Sequence, residues 1–194
     1  MKFATFARQT RIATAVVVVA LLLSATFASA AATTQKWTAG WDNFGEPLNY
    51  SKSKITWSVN STKHTLTATF TLAAAKPSKL YQVGLNFFCT TFPVSFGQFP
   101  TDGGGGTCST ITRQGVTKTV AAVELGVVLT DEHGNGTFTV VIGPIASGTY
   151  DLEFQTRDGV GCQLKGGAGN GSDCNDDFQS PGPTFGDATT ITIP

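Results

Sequence analysis

An all-β fold, a single antiparallel β-sandwich of seven or eight strands, is predicted by three features of this 194-residue chain. Apolar residues alternate with Thr, Ser or charged residues in one short segment after another. Turn chemistry separates those segments, and no stretch has the apolar spacing of an amphipathic helix.

Residues 65–72 (TLTATFTL) are the clearest case, with Leu66, Ala68, Phe70 and Leu72 alternating with four threonines. That is a strand buried on one face and Thr-coated on the other. Upstream, Ile55, Trp57 and Val59 alternate with Thr56 and Ser58. The short polar stretch 60–64 between the two segments predicts a hairpin, and Trp57 falls on its core face.

After the turn-forming Lys76-Pro77-Ser78-Lys79, residues 80–89 put Tyr81, Val83, Leu85, Phe87 and Cys89 in phase on one face. Residues 90–107 have no period and hold Phe92, Phe96 and Phe99 with four consecutive glycines, so a long loop is expected. The apolar run 120–129 (VAAVELGVVL) fits a buried helix or a strand by length alone. Its β-branched content and the following turn DEHGNG favour a strand within 116–130. Phe138, Val140 and Ile142 alternate beyond that turn, and Tyr150, Leu152 and Phe154 alternate against Asp151, Glu153 and Gln155. A second long loop, 158–183, and a last strand, 189–193, complete the chain.

The N-terminus is organised differently. Lys2, Arg8 and Arg11 precede an apolar run at 12–23 and small residues ending in Ala28-Ser29-Ala30. This is the order of a signal peptide. The 12-residue run is short of the roughly 20 residues that span a bilayer. Cleavage after Ala30 is therefore expected, in preference to an uncleaved anchor extended by the small residues that follow. The expected division is a signal peptide at 1–30 and one secreted domain at 31–194, with no stable membrane insertion of the mature chain. Cleavage would remove three of 13 basic residues and no acidic one, leaving ten against 13. That balance offers no basic surface for nucleic acid.

Cys89, Cys108, Cys162 and Cys174 form an even set in an exported chain, the pattern of disulfides. Three pairings are possible. Spacing favours Cys89–Cys108 and Cys162–Cys174, each bracketing a Gly-rich stretch, so that two long loops are disulfide-held. Zinc is disfavoured, because no C-x-x-C pair exists and the only histidines are His64 and His133, both in predicted turns.

No G-x-S-x-G, H-E-x-x-H or P-loop occurs, and Gly166–Gly171 lacks the strand-to-helix setting of a nucleotide loop. A non-enzymatic role is expected, with Asp42 and Glu46 the least implausible carboxylates for the contrary case. No cofactor is expected. Ca²⁺ is the alternative, at Asp173, Asp176 and Asp177 in the Gly-rich acidic loop, although their spacing is not that of an EF-hand. Trp37 and Trp41 lie in a polar segment, and with Phe92, Phe96 and Phe99 they are the candidates for an exposed aromatic contact surface. The competing reading has these side chains covering the ends of the sandwich. Asn49, Asn60, Asn135 and Asn170 head N-x-[S/T] triplets, which also arise from this Asn/Ser/Thr-rich composition alone.

KPSKLYQVG (76–84), TDEHGNGTFTV (130–140) and GTYDLEF (148–154) resemble hairpin segments of the immunoglobulin-like β-sandwich modules found in secreted bacterial proteins. The resemblance implies an immunoglobulin-like sandwich and carries no function with it. The resulting expectation is an exported binding module whose extracellular ligand is a protein or a glycan. The alternative is a carbohydrate-binding domain using its Trp residues.

Overall fold

A computed structural model describes residues 31–40, 45–89, 108–113, 115–158 and 176–194. Residues 1–30 lie outside them, and no helix among the described residues is long and apolar enough to cross a membrane. All described elements are strands: β1 (Thr33–Lys36), β2 (Thr38–Ala39), β3 (Lys54–Asn60), β4 (Thr65–Leu72), β5 (Leu80–Phe88), β6 (Ser109–Arg113), β7 (Val116–Leu129), β8 (Gly136–Ile142), β9 (Gly148–Asp158), β10 (Asp176–Ser180) and β11 (Thr189–Ile193).

They form two antiparallel sheets, one ordered β1-β3-β4-β8 and the other β2-β10-β9-β5-β7-β6, with β11 also on β9. The expected 55–59/65–72 hairpin is present, Trp57 opposite Ala68. The turn after β7 does something other than close a hairpin. β7 and β8 belong to different sheets, so Asp131–Gly136 carries the chain across the sandwich. Asp131 shapes this crossing by accepting the N–H groups of His133 and Asn135, each at 2.8 Å.

The inward sets of both sheets meet in one core. Phe70 from the smaller sheet packs edge-on against Phe154 from the larger, at 5.8 Å between ring centroids. Phe87 packs on Tyr150 within the larger sheet at 5.7 Å. Interdigitation of this kind sets the roughly 10 Å spacing of stacked sheets.

Four strands were not evident from the sequence. β1 and β2 are short and polar, and β6 follows the Gly-rich stretch. β10 falls inside what was expected to be an unbroken loop at 158–183, where it pairs with β9 through Gln179 opposite Gln155.

Trp37 is the main correction. The polar neighbours of this residue suggested an exposed platform, yet it is 1% exposed. It sits between β1, in the smaller sheet, and β2, in the larger. Its ring stacks on Phe70 at 6.0 Å and its indole N–H donates to Thr71 O at 3.2 Å. A chain that changes sheets has one inward position at the crossing, and Trp37 fills it. Trp57 is half-buried against the same core, and its indole nitrogen has no hydrogen-bond partner.

Candidate functional site

The Cys89–Cys108 bridge is present, with its Cα atoms 6.2 Å apart. Its position explains its use. Phe88 and Ser109, the residues adjoining the two cysteines, both pair with Val120 on opposite sides of β7. The bridge therefore ties together the two strands flanking β7. It closes a 19-residue separation, and chain-entropy arguments assign such a closure about 3 kcal/mol. Replacing both cysteines by Ser is expected to lower unfolding free energy by about that amount, measured by urea denaturation against the oxidised protein. Cys162 and Cys174 lie outside the described residues, as do Trp41, Asp42, Phe92, Phe96, Phe99 and Asp173.

Of the acidic set considered for Ca²⁺, Asp176 and Asp177 stand on β10, in backbone extended along β9. Among the described residues no group of three or more His, Cys, Asp or Glu could hold a metal ion.

Glu46 is in a structural network. Its Oε1 accepts Lys76 Nζ at 2.5 Å and Lys79 Nζ at 2.8 Å, and its Oε2 accepts the Tyr81 hydroxyl at 3.0 Å. The Tyr81 hydroxyl oxygen in turn accepts the backbone N–H of Lys76 at 3.0 Å. Burial pushes the Glu46 carboxyl up, but the hydrogen bonds from Lys76, Lys79 and Tyr81 and the charge of Lys79 outweigh it and hold the pKa below its ordinary 4.5. A folded-state pKa below the unfolded one gives stability that is present above the unfolded value and lost as pH falls through the folded one. Glu46→Gln is accordingly expected to cost about 1–2 kcal/mol near neutrality, discounted for the exposed Lys76. The gap from wild type should narrow as the medium is acidified through the carboxylate range, which urea titrations at several pH values would measure.

The most unusual polar arrangement lies on the outer face of the larger sheet, where sequence reasoning expected a wet surface. Register places Glu124, Gly84, Gln155 and Gln179 in one row across β7, β5, β9 and β10. Ala122, Asn86 and Glu153 form the next row. Gln82, Asn86, Glu153, Gln155 and Gln179 are all 5% exposed or less, although the outer face of an antiparallel sheet is commonly solvated.

Asn86 and Gln155 satisfy each other reciprocally: Asn86 Nδ2 donates to Gln155 Oε1 at 3.2 Å, and Gln155 Nε2 donates to Asn86 Oδ1 at 3.3 Å. Gly84 makes room for this pair. A Cβ there would stand 3.3 Å from Gln155 Nε2 and 3.2 Å from Val123 O. Gln179 donates Nε2 to Gly182 O at 2.7 Å, while Gln82 Oε1, Glu124 Oε1 and Gln179 Oε1 have no hydrogen-bond partner. At one end the face becomes apolar. Phe185, from the segment between β10 and β11, packs on Phe88 at 6.3 Å beside the buried Val120.

The signal for this site was faint but present in the sequence. Residues 82, 84, 86 and 88 (Gln, Gly, Asn, Phe) are uncharged on what should be a solvent face. On the neighbouring strands the same face also carries charge, at Glu124, Asp151, Glu153 and Arg157.

No protein-family model matches the chain, and no curated protein matches it significantly. Among solved structures, one from work on the pH-induced modulation of Streptococcus parasanguinis adhesion by Fap1 fimbriae matches at 13% identity. The match covers 65% of this chain and 68% of that one, with a TM-score of 0.27. At that score the likeness carries no argument about fold or function.

Proposed function

We propose that the chain is an exported, non-catalytic β-sandwich module of immunoglobulin-like strand order that binds a protein or glycan partner outside the cytoplasm. The observation that carries the binding role is the outer face of the larger sheet, with its buried amides and unpaired acceptor oxygens. Fold stability alone gives no reason to keep such groups, since a buried acceptor without a partner is destabilising.

The immunoglobulin-like order is supported by β3, β4 and β8 facing β9, β5 and β7, and by the N-terminal strand pair that changes sheets at Trp37. Export is supported by the signal-peptide pattern of residues 1–30 and by the Cys89–Cys108 bridge, since disulfides persist in oxidising compartments. The non-catalytic reading is supported by Glu46, whose carboxylate is engaged by three donors and held ionised, and so is poorly suited to general-acid work.

The test is twofold. N-terminal sequencing of the protein recovered outside the cytoplasm should begin at Ala31. The same protein, in oxidised form, should be retained on a cell-surface preparation of its source, at a level unaffected by added chelator. Retention of the chain in the cytoplasm, or its passage unretained, would sink the proposal.

A further inference from the structure

The sandwich is sealed along β4 and open one strand further out. Leu66, Ala68, Phe70 and Leu72 of β4 are at most 1% exposed, whereas Phe138 and Val140, their inward neighbours on β8, are only half-buried. β8 is the last strand of its sheet among the described residues. Across the sandwich, β6 pairs with β7 only over Val116–Val120, so beyond Val120 no described strand covers the margin of the larger sheet beside β8. On the outer face of β8, Thr137 and Thr139 are exposed and Val141 is 58% exposed.

An unpaired strand edge invites association, and folded proteins guard it with charge, shortness or a bulge. β1, at the opposite edge of the smaller sheet, is four residues long and ends in Lys36. The open margin of β7 holds Glu124 and a break in register beside it. β8 has none of these guards. It runs in unbroken register along β4 for seven residues, GTFTVVI, without a charge or a proline.

We infer that β8 is a dimerisation edge, paired antiparallel with β8 of a second copy of this chain about a two-fold axis at Thr139. The strand itself selects that occupant. Thr139 is its midpoint, so all seven residues pair. With Thr139 opposite itself, Phe138 faces Val140 of the second copy and Thr137 faces Val141 of the second copy. Inward residues meet inward ones, as a continuous sheet requires. The pairs formed are aromatic with β-branched and Thr with Thr or Val, combinations that stabilise sheets, and no like charges are opposed. Each copy's half-buried Phe138 and Val140 then close the gap beside the other's.

The outer face continues across the same seam. Thr34, Thr56, Thr69 and Thr139 stand in one row across all four strands, with hydroxyls paired at 3.3 Å (Thr34 and Thr56) and 2.9 Å (Thr69 and Thr139). Self-pairing extends that row over eight strands. It also turns the acidic Asp131–Glu132 segment of one copy toward the sheet end where the other carries Lys63 and His64, beside Ile145, so opposite charges flank the seam.

The experiment is sedimentation equilibrium of the oxidised protein over a concentration series, with Thr139→Lys and Thr139→Glu alone and mixed. Wild type should pass reversibly from one chain to two. Either charged variant sets its new charge directly against itself at the axis and should weaken association by about tenfold or more. The equimolar mixture, which opposes Lys to Glu, should associate again. Thr139 is exposed, so dilute variants should unfold at the urea concentration of dilute wild type. A second measurement needs no charge. Thr139→Cys should oxidise to a covalent dimer, since opposed residues stand about 4.5–5.5 Å apart at Cα, within disulfide reach. Thr137→Cys should not, because the two copies of that residue lie about 13 Å apart, four residues along the strand. Wild type that stays a single chain at every concentration overturns the proposal. Charged variants that dimerise like wild type, a mixture that stays monomeric, or equal cross-linking of the two cysteine variants overturns it as well.

Discussion

Trp37→Ala is expected to lower the unfolding free energy by about 3–5 kcal/mol, the range for truncating a large aromatic in a packed core. The indole is 1% exposed, stacked on Phe70 and bonded through its N–H to Thr71 O. Trp37→Phe keeps most of the packing and gives up the 3.2 Å hydrogen bond, so its expected cost is only about 1 kcal/mol. Urea denaturation of both variants separates the two readings of this residue. A surface platform would tolerate alanine within about 0.5 kcal/mol and lose only its ligand. A core pivot loses stability first, and any fall in binding tracks the unfolded fraction.

The case of Trp37 shows which parts of this molecule its sequence discloses. Strands β3, β4 and β8 were legible because each has a dry face and a wet face, so the period of two is written in the residues themselves; β9 shows the same alternation of apolar and polar residues, although its polar face at Glu153 and Gln155 is buried as well. β5 was legible as a strand but not as a doubly covered one. Gln82, Gly84 and Asn86 have the composition of a solvated face, and only the structure shows Gln82 and Asn86 buried on β5, between β7 and β9. β10 starts with two aspartates and follows a Gly-rich stretch, so local propensity pointed to a loop. Its strand state comes from pairing with Thr156, Gln155 and Phe154 of β9, which no local pattern encodes. Trp37 was misread for the same reason: an isolated inward residue at a change of sheet has no periodic neighbours to mark it. The crossing after β7 was likewise hidden, since a turn rich in Asp, Gly and Asn fits a hairpin and an inter-sheet connection equally well.

That crossing depends on a second residue whose substitution should be costly. β7 carries a bulge: Gly84 opposes Glu124 while Val83 opposes Gly126, leaving Leu125 as the additional residue. Gly126 adopts φ +145°, and a Cβ built there would stand 2.4 Å from Phe138 Cζ and 3.0 and 3.1 Å from the two flanking ring atoms, all closer than ordinary van der Waals contact. Phe138 comes from β8 in the opposite sheet and stacks in turn near Phe70, at 6.4 Å. The bare backbone of Gly126 is thus the floor on which a ring from the other sheet rests, at the edge where the two sheets approach.

Gly126→Ala combines a backbone conformation that L-residues avoid with displacement of a packed ring. Each effect is worth about 1–3 kcal/mol, and together they should remove about 3–4 kcal/mol of stability. The mechanism has its own signature. Phe138→Leu, itself mildly destabilising, frees the space above Gly126, so the double variant Gly126→Ala/Phe138→Leu should be more stable than the sum of the two single losses predicts, by about 1 kcal/mol or more. Strict additivity in that cycle would mean that the ring is not what Gly126 accommodates, and would leave backbone strain as the whole cost. A favourable coupling would show that a bulge in one sheet and an aromatic side chain in the other form a single packing unit.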